Sequence, residues 1–405
     1  MSENKKSNLV PLLIVGSMNV VLGFALGVNA FFIPFVQEAF HVTTGMSYMI
    51  MVATFSAYLV FGWATGNILK KAGYKGGMIL ALLLMAIGFL LIVPSAKTGS
   101  FSLFLIALFI NGLGQALLTA AYSTYVSIIG PPESAAVRIS FMGINAKVFY
   151  AMASLILAVF VDFANIQITA IITPFYILSA FLIIMGIVYL YAPLPEIKAL
   201  DEEEPGQEKQ EENVSLAYAN RKKNIWQFPH LLLGVLAIFF TVGVEYLALG
   251  TINDYAYTLG LSNPSNYVWI VSISMIVGYL IGMILIPRKL SQTQALFGST
   301  ILGVISCILL LLSPSDISIY FLAVMGLANA LLWPAVWPLA IAELGKFTKT
   351  GSALLVSGII GAGIIPFVFG YMAQNFSYKI AYLIAIPCYL YIMYYALRGS
   401  KIRTR

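Results

Sequence analysis

Twelve apolar stretches, each long enough to cross a bilayer, dominate this chain and leave few folds open to it. A helix needs about 20 mostly apolar residues to span about 30 Å of hydrocarbon. Stretches of that length centre near Gly23, Ala57, Met85, Gly114, Ser154 and Ile183, then Phe240, Val277, Ile305, Leu331, Ile360 and Cys388. Composition agrees, since 60% of the 405 residues are apolar and only 9% are charged, against about a quarter charged in soluble domains. The pattern predicts an all-α membrane protein with twelve transmembrane helices in two six-helix halves.

The longest polar interruption contains "DEEEPGQEKQEE" and then "RKK". Such a segment has nothing with which to build a core and reads as a solvated tether. It divides the chain into an N-terminal half (1–194), a linker (195–227) and a C-terminal half (228–405). Lys and Arg crowd the segments on the N-terminal side of the membrane, leaving only Lys97 and Lys379 opposite. By the positive-inside rule both termini and the linker are expected in the cytoplasm of a cell with a bacterial-type inner membrane. The basic start "MSENKK" lacks a cleavage site, so the first apolar run is expected to be retained rather than removed as a signal peptide. The +6 charge is scattered between apolar runs and does not point to nucleic acid. Cys307 and Cys388 both lie within apolar runs, so neither a disulfide nor a metal site is expected.

Several motifs carry a resemblance. "GNILKKAGYKGG" (Gly66–Gly77) follows the second helix, with Lys70 where many similar loops place an acid. Together with "NGLGQALLTAAYSTYVSIIGPPESAAVRIS", "LGVLAIFFTVGVE" and "GLANALLWPAVWPLAIAELGKFTKTGSALL", it makes the chain resemble the major facilitator superfamily. Within that superfamily it resembles the fucose permease and glucose/galactose transporter group of sugar symporters. The resemblance implies two halves that rock about a substrate site near the bilayer midplane, most often in a monomer. Independently, "NGLG" and "GIIGAGIIP" concentrate small residues where helices approach closely. Pro334, Pro338 and Pro366 are expected to interrupt helices that line a cavity.

The chain departs from that group at its coupling acids. Asn29 is followed by Ala30 where the relatives have an acid, Thr119 and Ser123 replace an acid or amide and an Asn, and Tyr279 replaces an Arg. The resemblance therefore does not carry the group's proton-coupling mechanism onto this chain, and H+, Na+ or no coupling cation all stay open. One charge is added instead. Lys147 stands in the fifth apolar run, about 13 Å past its inner end at 1.5 Å per residue. An intramembrane Lys costs about 2.5–3.5 kcal/mol on insertion scales, so it normally faces a cavity, pairs with an acid or binds a ligand.

Glu245, in "IFFTVGVEYLALGTINDYA", raises the complementary question. It is a neutral packing residue, a group whose protonation is coupled to transport, or the counter-ion of Lys147 across the halves, where it would act as a gate. A cavity that has lost acids and gained Lys147 is expected to favour a carboxylate, which points to an acidic sugar such as a sialate, a uronate or N-acetylmuramate. Asn29, Gln115, Thr119, Ser123, Asn253, Asn329, Trp333 and Trp337 are the remaining substrate-binding candidates. Amides and hydroxyls pair with sugar hydroxyls, and aromatic faces stack on the apolar side of a pyranose ring. Alternatives are a carrier of a non-sugar organic anion and a membrane sugar sensor that transports nothing. No catalytic residue, metal or cofactor is expected, because only His41 and His230 are present and no His/Asp/Glu cluster has metal spacing.

Overall fold

The structure is a computed structural model that describes residues 9–129, 135–162, 165–195, 221–285, 289–344 and 347–402. The linker's acidic run and the "GPPES" segment (130–134) lie outside the described residues. Among the described residues, twelve helices are long and apolar enough to cross a membrane. In the first half they are α1 (Pro11–Ala39), α2 (Thr44–Leu69), α3 (Lys71–Thr98), α4 (Phe101–Ser123), α5 (Phe141–Ala158) and α6 (Ile168–Tyr191). In the second they are α7 (Pro229–Thr258), α8 (Pro264–Leu285), α9 (Gln292–Leu312), α10 (Ser315–Ile341), α11 (Thr350–Asn375) and α12 (Tyr378–Lys401). An even number of crossings puts the start of α1 and the end of α12 on one face of the membrane, called here the terminal face.

Within each half, backbones come close because glycines let them. A Cβ at Gly23 or Gly27 on α1 would run into the backbone of Ala146 or Tyr150 near the middle of α5. A Cβ at Gly358 or Gly361 on α11 would strike the carbonyls of Val235 and Phe239 on α7. In lipid, where apolar burial drives helices together only weakly, such close packing supplies the association energy. Near the start of α3 the chain kinks at Gly73, whose φ of 70° favours glycine.

Pro334 and Pro366 act upstream of their own positions, whereas Pro338, expected to interrupt its helix, lies inside the continuous segment Leu332–Ile341. The break in α10 falls at Ala330–Leu331, between helical segments Phe321–Asn329 and Leu332–Ile341. Pro334 has no N–H to offer the Ala330 carbonyl four residues earlier, which places the break there. In α11 a 3₁₀ turn, Gly358–Ile360, precedes the segment that holds Pro366.

The halves meet along α1–α7, α2–α11 and α5–α8. Every residue of α7 from Thr241 to Ala256 is buried, so this stretch has no lipid face. Nearer the terminal face α7 opens up, with Phe239 and Phe240 half-buried and Leu236 exposed. Towards the opposite face the halves are pressed together: a Cβ at Gly363 on α11 would lie 2.9 Å from the Met51 carbonyl on α2, and one at Gly370 would meet the Tyr48 ring.

Because Gly363 is an inter-half contact, Gly363→Val is expected to disfavour closure of the opposite face rather than folding of either half. Overpacking of about 1–3 kcal/mol corresponds to roughly a tenfold or greater rise in the rate at which a membrane-impermeant maleimide labels Asn253→Cys from that face.

Candidate functional site

α5 and α7 hold the two buried charges against each other. Lys147 and Glu245 are 8% and 7% exposed, and their side chains form a salt bridge across the halves. The fifth helix brings Lys147 to this plane because Gly23 and Gly27 let α1 sit tightly behind it. Of the three sequence readings of Glu245, the geometry is that of the counter-ion. It also removes the premise of a net-positive cavity, because the ammonium already has a carboxylate partner.

A row of aromatic rings crosses the same plane. Tyr58 and Phe55 on α2 lie 5.8 Å apart, Phe55 packs edge-on against Tyr246 of α7 at 4.8 Å, and Tyr246 meets Tyr150 of α5 at 6.1 Å. Tyr150, Tyr246 and Tyr279 all lie within electrostatic reach of Glu245. Tyr279 of α8 lies over Gly143, one turn from Lys147 towards the terminal face.

The sequence candidates sort themselves around this plane. Asn253 on α7 lies outward of the ion pair and donates to Ser154 Oγ of α5 at 3.0 Å, again joining the halves. Asn29 accepts a hydrogen bond from Thr54 at 3.3 Å, and Gln115 donates to Asn111 at 2.6 Å. Thr119 lies 3.3 Å from the Tyr58 hydroxyl. Ser123 is half-buried one turn beyond Thr119 on α4. Trp333 and Trp337 stack on each other at 5.1 Å and are half-buried on α10. Asn329 sits differently. It donates to the Val244 carbonyl at 2.9 Å and accepts from Tyr389 at 2.7 Å, which ties α10 to α7 and α12. That leaves it little capacity for a ligand, and its place in the structure is a brace of the second half.

Among the described residues, the buried polar atoms on helices of this region without a hydrogen-bond partner include Asn29 Nδ2, Gln115 Oε1, Tyr150 OH and Asn253 Oδ1. Buried polar groups are rarely left so, and each marks a position where a hydroxyl or water is accommodated at low cost. Tyr150 and Tyr246 escaped sequence reasoning because tyrosine in an apolar run looks like any packing aromatic. Asp254 escaped it too, although it follows Asn253 directly and is 1% exposed. The signal for it was a second carboxylate nine positions beyond Glu245 in one apolar run.

The family model described as Major Facilitator Superfamily matches residues 15–355. The chain is 29% identical over 393 residues to the glucose/galactose transporter of Brucella abortus (strain 9-941), covering 94% of this chain and 91% of that protein. It is 25% identical to a putative glucose/galactose transporter of Helicobacter pylori (strain ATCC 700392 / 26695), covering 98% of each. It is 23% identical to the L-fucose-proton symporter of Escherichia coli K12, covering 98% of this chain and 95% of that one. The solved structure of FucP, a major facilitator transporter in the outward conformation, superposes with a TM-score of 0.72 at 24% identity over 98% of this chain and all of that one. A bacterial homolog of the lysosomal transporter Spinster, inward-facing and occupied, gives 0.69 at 13% identity, covering 100% of this chain and 98% of that one. The chain belongs to the Major Facilitator Superfamily and is a membrane transporter, not an enzyme.

Breaking a buried ion pair strands the remaining charge, at a cost of about 3–5 kcal/mol, whereas replacing both partners with apolar groups is often neutral. Lys147→Met and Glu245→Leu are each expected to lower the thermal unfolding midpoint sharply, and the double variant to recover most of the loss. A double variant as unstable as the sum of the singles would show that the two side chains act independently.

Proposed function

We propose that the protein is a sugar transporter that works by alternating access, with its substrate held between α1, α4, α5 and α7, and that sugar import is coupled to a cation. The observation that carries this reading is the inter-half plane itself. It combines a row of aromatic rings with unpartnered amide and phenol groups, which is the chemistry that hydroxyl-rich rings call for. The named relatives, glucose/galactose transporters and an L-fucose-proton symporter, support a hexose or deoxyhexose substrate and proton coupling. The charge asymmetry of the loops supports a bacterial-type inner membrane with cytoplasmic termini. Surrounded by lipid, the chain works as a monomer, as its family mostly does.

In this reading the Lys147–Glu245 pair gates the site. The pair joins α5 of one half to α7 of the other, so rocking of the halves requires it to break or to shift its partners. A second reading, an acidic sugar, rests on the buried cation of Lys147. Such a substrate would take the place of Glu245 and inherit its salt bridge. The neutral-sugar reading is preferred because the ammonium is already neutralised.

A thermal-shift screen against neutral hexoses, N-acetylated hexosamines and acidic sugars separates the readings. A ligand that binds only the folded state stabilises it by RT ln(1 + [L]/Kd), about 2.7 kcal/mol at 100 times Kd. Neutral hexoses are expected to stabilise the wild-type protein. Glu245→Gln, which frees Lys147, is expected to gain stabilisation by acidic sugars. Acidic sugars that stabilise the wild type, and not Lys147→Gln, would establish the second reading instead. Failure of every sugar to shift the midpoint would remove sugars as the substrate class.

A further inference from the structure

Asp254 lies on α7 about 13 Å outward of Glu245 at 1.5 Å per residue, where the two halves are pressed together. It is 1% exposed, and its partners come from both halves. From the first half, Gln37 Nε2 of α1 donates to Oδ1 at 2.9 Å and the Tyr48 hydroxyl donates to Oδ2 at 2.8 Å. From the second, the Tyr378 hydroxyl of α12 donates to Oδ2 at 2.9 Å. Close by, the Gly45 amide of α2 donates to Gln374 Oε1 of α11 at 2.9 Å. Asp254 is thus the hub of a polar seal over the face opposite the termini.

The other titratable groups that face it are phenols. Tyr382 of α12 and Tyr257 of its own helix lie within electrostatic reach, and Glu38 of α1 stands beyond Tyr257. Its described partners include no cation, in contrast to Glu245. A buried carboxylate without a counter-charge is expensive to keep ionised, and three neutral donors offset only part of that cost. A protonated Asp254 fits the same cage, because each phenol can accept as well as donate. When the halves part, Gln37 and Tyr48 leave with the first half and the carboxyl meets water, where it ionises freely.

We infer that Asp254 is a proton-binding site, and that closure of this face draws a proton from the water there onto its carboxylate. No bond in the protein breaks: the proton adds to a carboxylate lone pair on closing and returns to water on opening. By linkage, a group that binds its proton more tightly in the closed state makes closure more favourable as pH falls and less so as it rises. The inference deepens the proposed cation-coupled import, since it supplies a proton-sensitive group where the relatives' coupling acids are missing. It does not depend on which sugar is carried.

The test needs no substrate. Spin labels at Lys97→Cys on α3 and Asp316→Cys on α10, both exposed, report the separation of the halves at this face in lipid nanodiscs by double electron–electron resonance. The closed distance is expected to gain population as pH falls from about 8 to 5. Asp254→Asn, neutral at every pH, is expected to stay closed throughout. Tyr48→Phe removes one donor from the ionised closed form, so its closed-to-open ratio is expected to fall about tenfold at pH 8 and by less at pH 5, which steepens the pH dependence. A wild-type distribution that ignores pH, or an Asp254→Asn variant that keeps the wild-type profile, overturns the inference. If Asp254→Asn does not fold, a loss of closure in Tyr48→Phe that is the same at pH 8 and pH 5 overturns it equally. Loss of sugar binding with an intact pH response would instead count against the substrate assignment alone.

Discussion

The constraint on which this structure turns is that a lysine and a glutamate sit where neither tolerates isolation. A buried ammonium or carboxylate standing alone costs several kcal/mol, so the two must meet. They are on helices of different halves, and the pair therefore specifies how the halves dock as well as where the polar plane lies. The glycines of α1 and α11 serve the same end. They bring α5 and α7 close to their backing helices, and each charged side chain is presented on a rigid element rather than on a loop.

From that plane outward, α7 carries a sequence of contacts to the first half. Glu245 reaches Lys147, Asn253 reaches Ser154, and Asp254 reaches Gln37 and Tyr48. Chemically the three are unlike. The first is charge on charge, the second amide on hydroxyl, the third a carboxyl among neutral donors. A transporter that rocks about its midplane must exchange such contacts in turn, and their differing chemistry lets a substrate, an ion or pH act on different rungs.

The architecture was legible because length and apolarity alone identify a bilayer-spanning helix, and the twelve runs from Gly23 to Cys388 coincide with the twelve spans. The site was less so. In a soluble helix the polar face marks solvent, but a stretch such as Thr241–Ala256 of α7, buried on all sides, shows no such contrast. Asn329 and Asn29 therefore looked equivalent in sequence, although one braces three helices and the other has an unpartnered amide. Lys147 and Glu245 stood out as charges, yet their pairing links positions 98 residues apart and no local pattern encodes it. Asp254 carries the same kind of signal, a carboxylate within an apolar run directly after Asn253.

The order in which the chain is made gives the ion pair a further consequence. At about 5–20 residues per second, α5 is synthesised and inserted for at least about five seconds before Glu245 follows. During that interval Lys147 is a lone cation in the bilayer, and the first half has to hold it without its partner. Gln115, Tyr150 and Asn29, with unpartnered atoms in the finished protein, belong to that first half. The nascent N-terminal half is thus a different chemical object from the one in the finished transporter, wetter and more positive at its centre. The arrival of α7 completes its electrostatics as well as its packing.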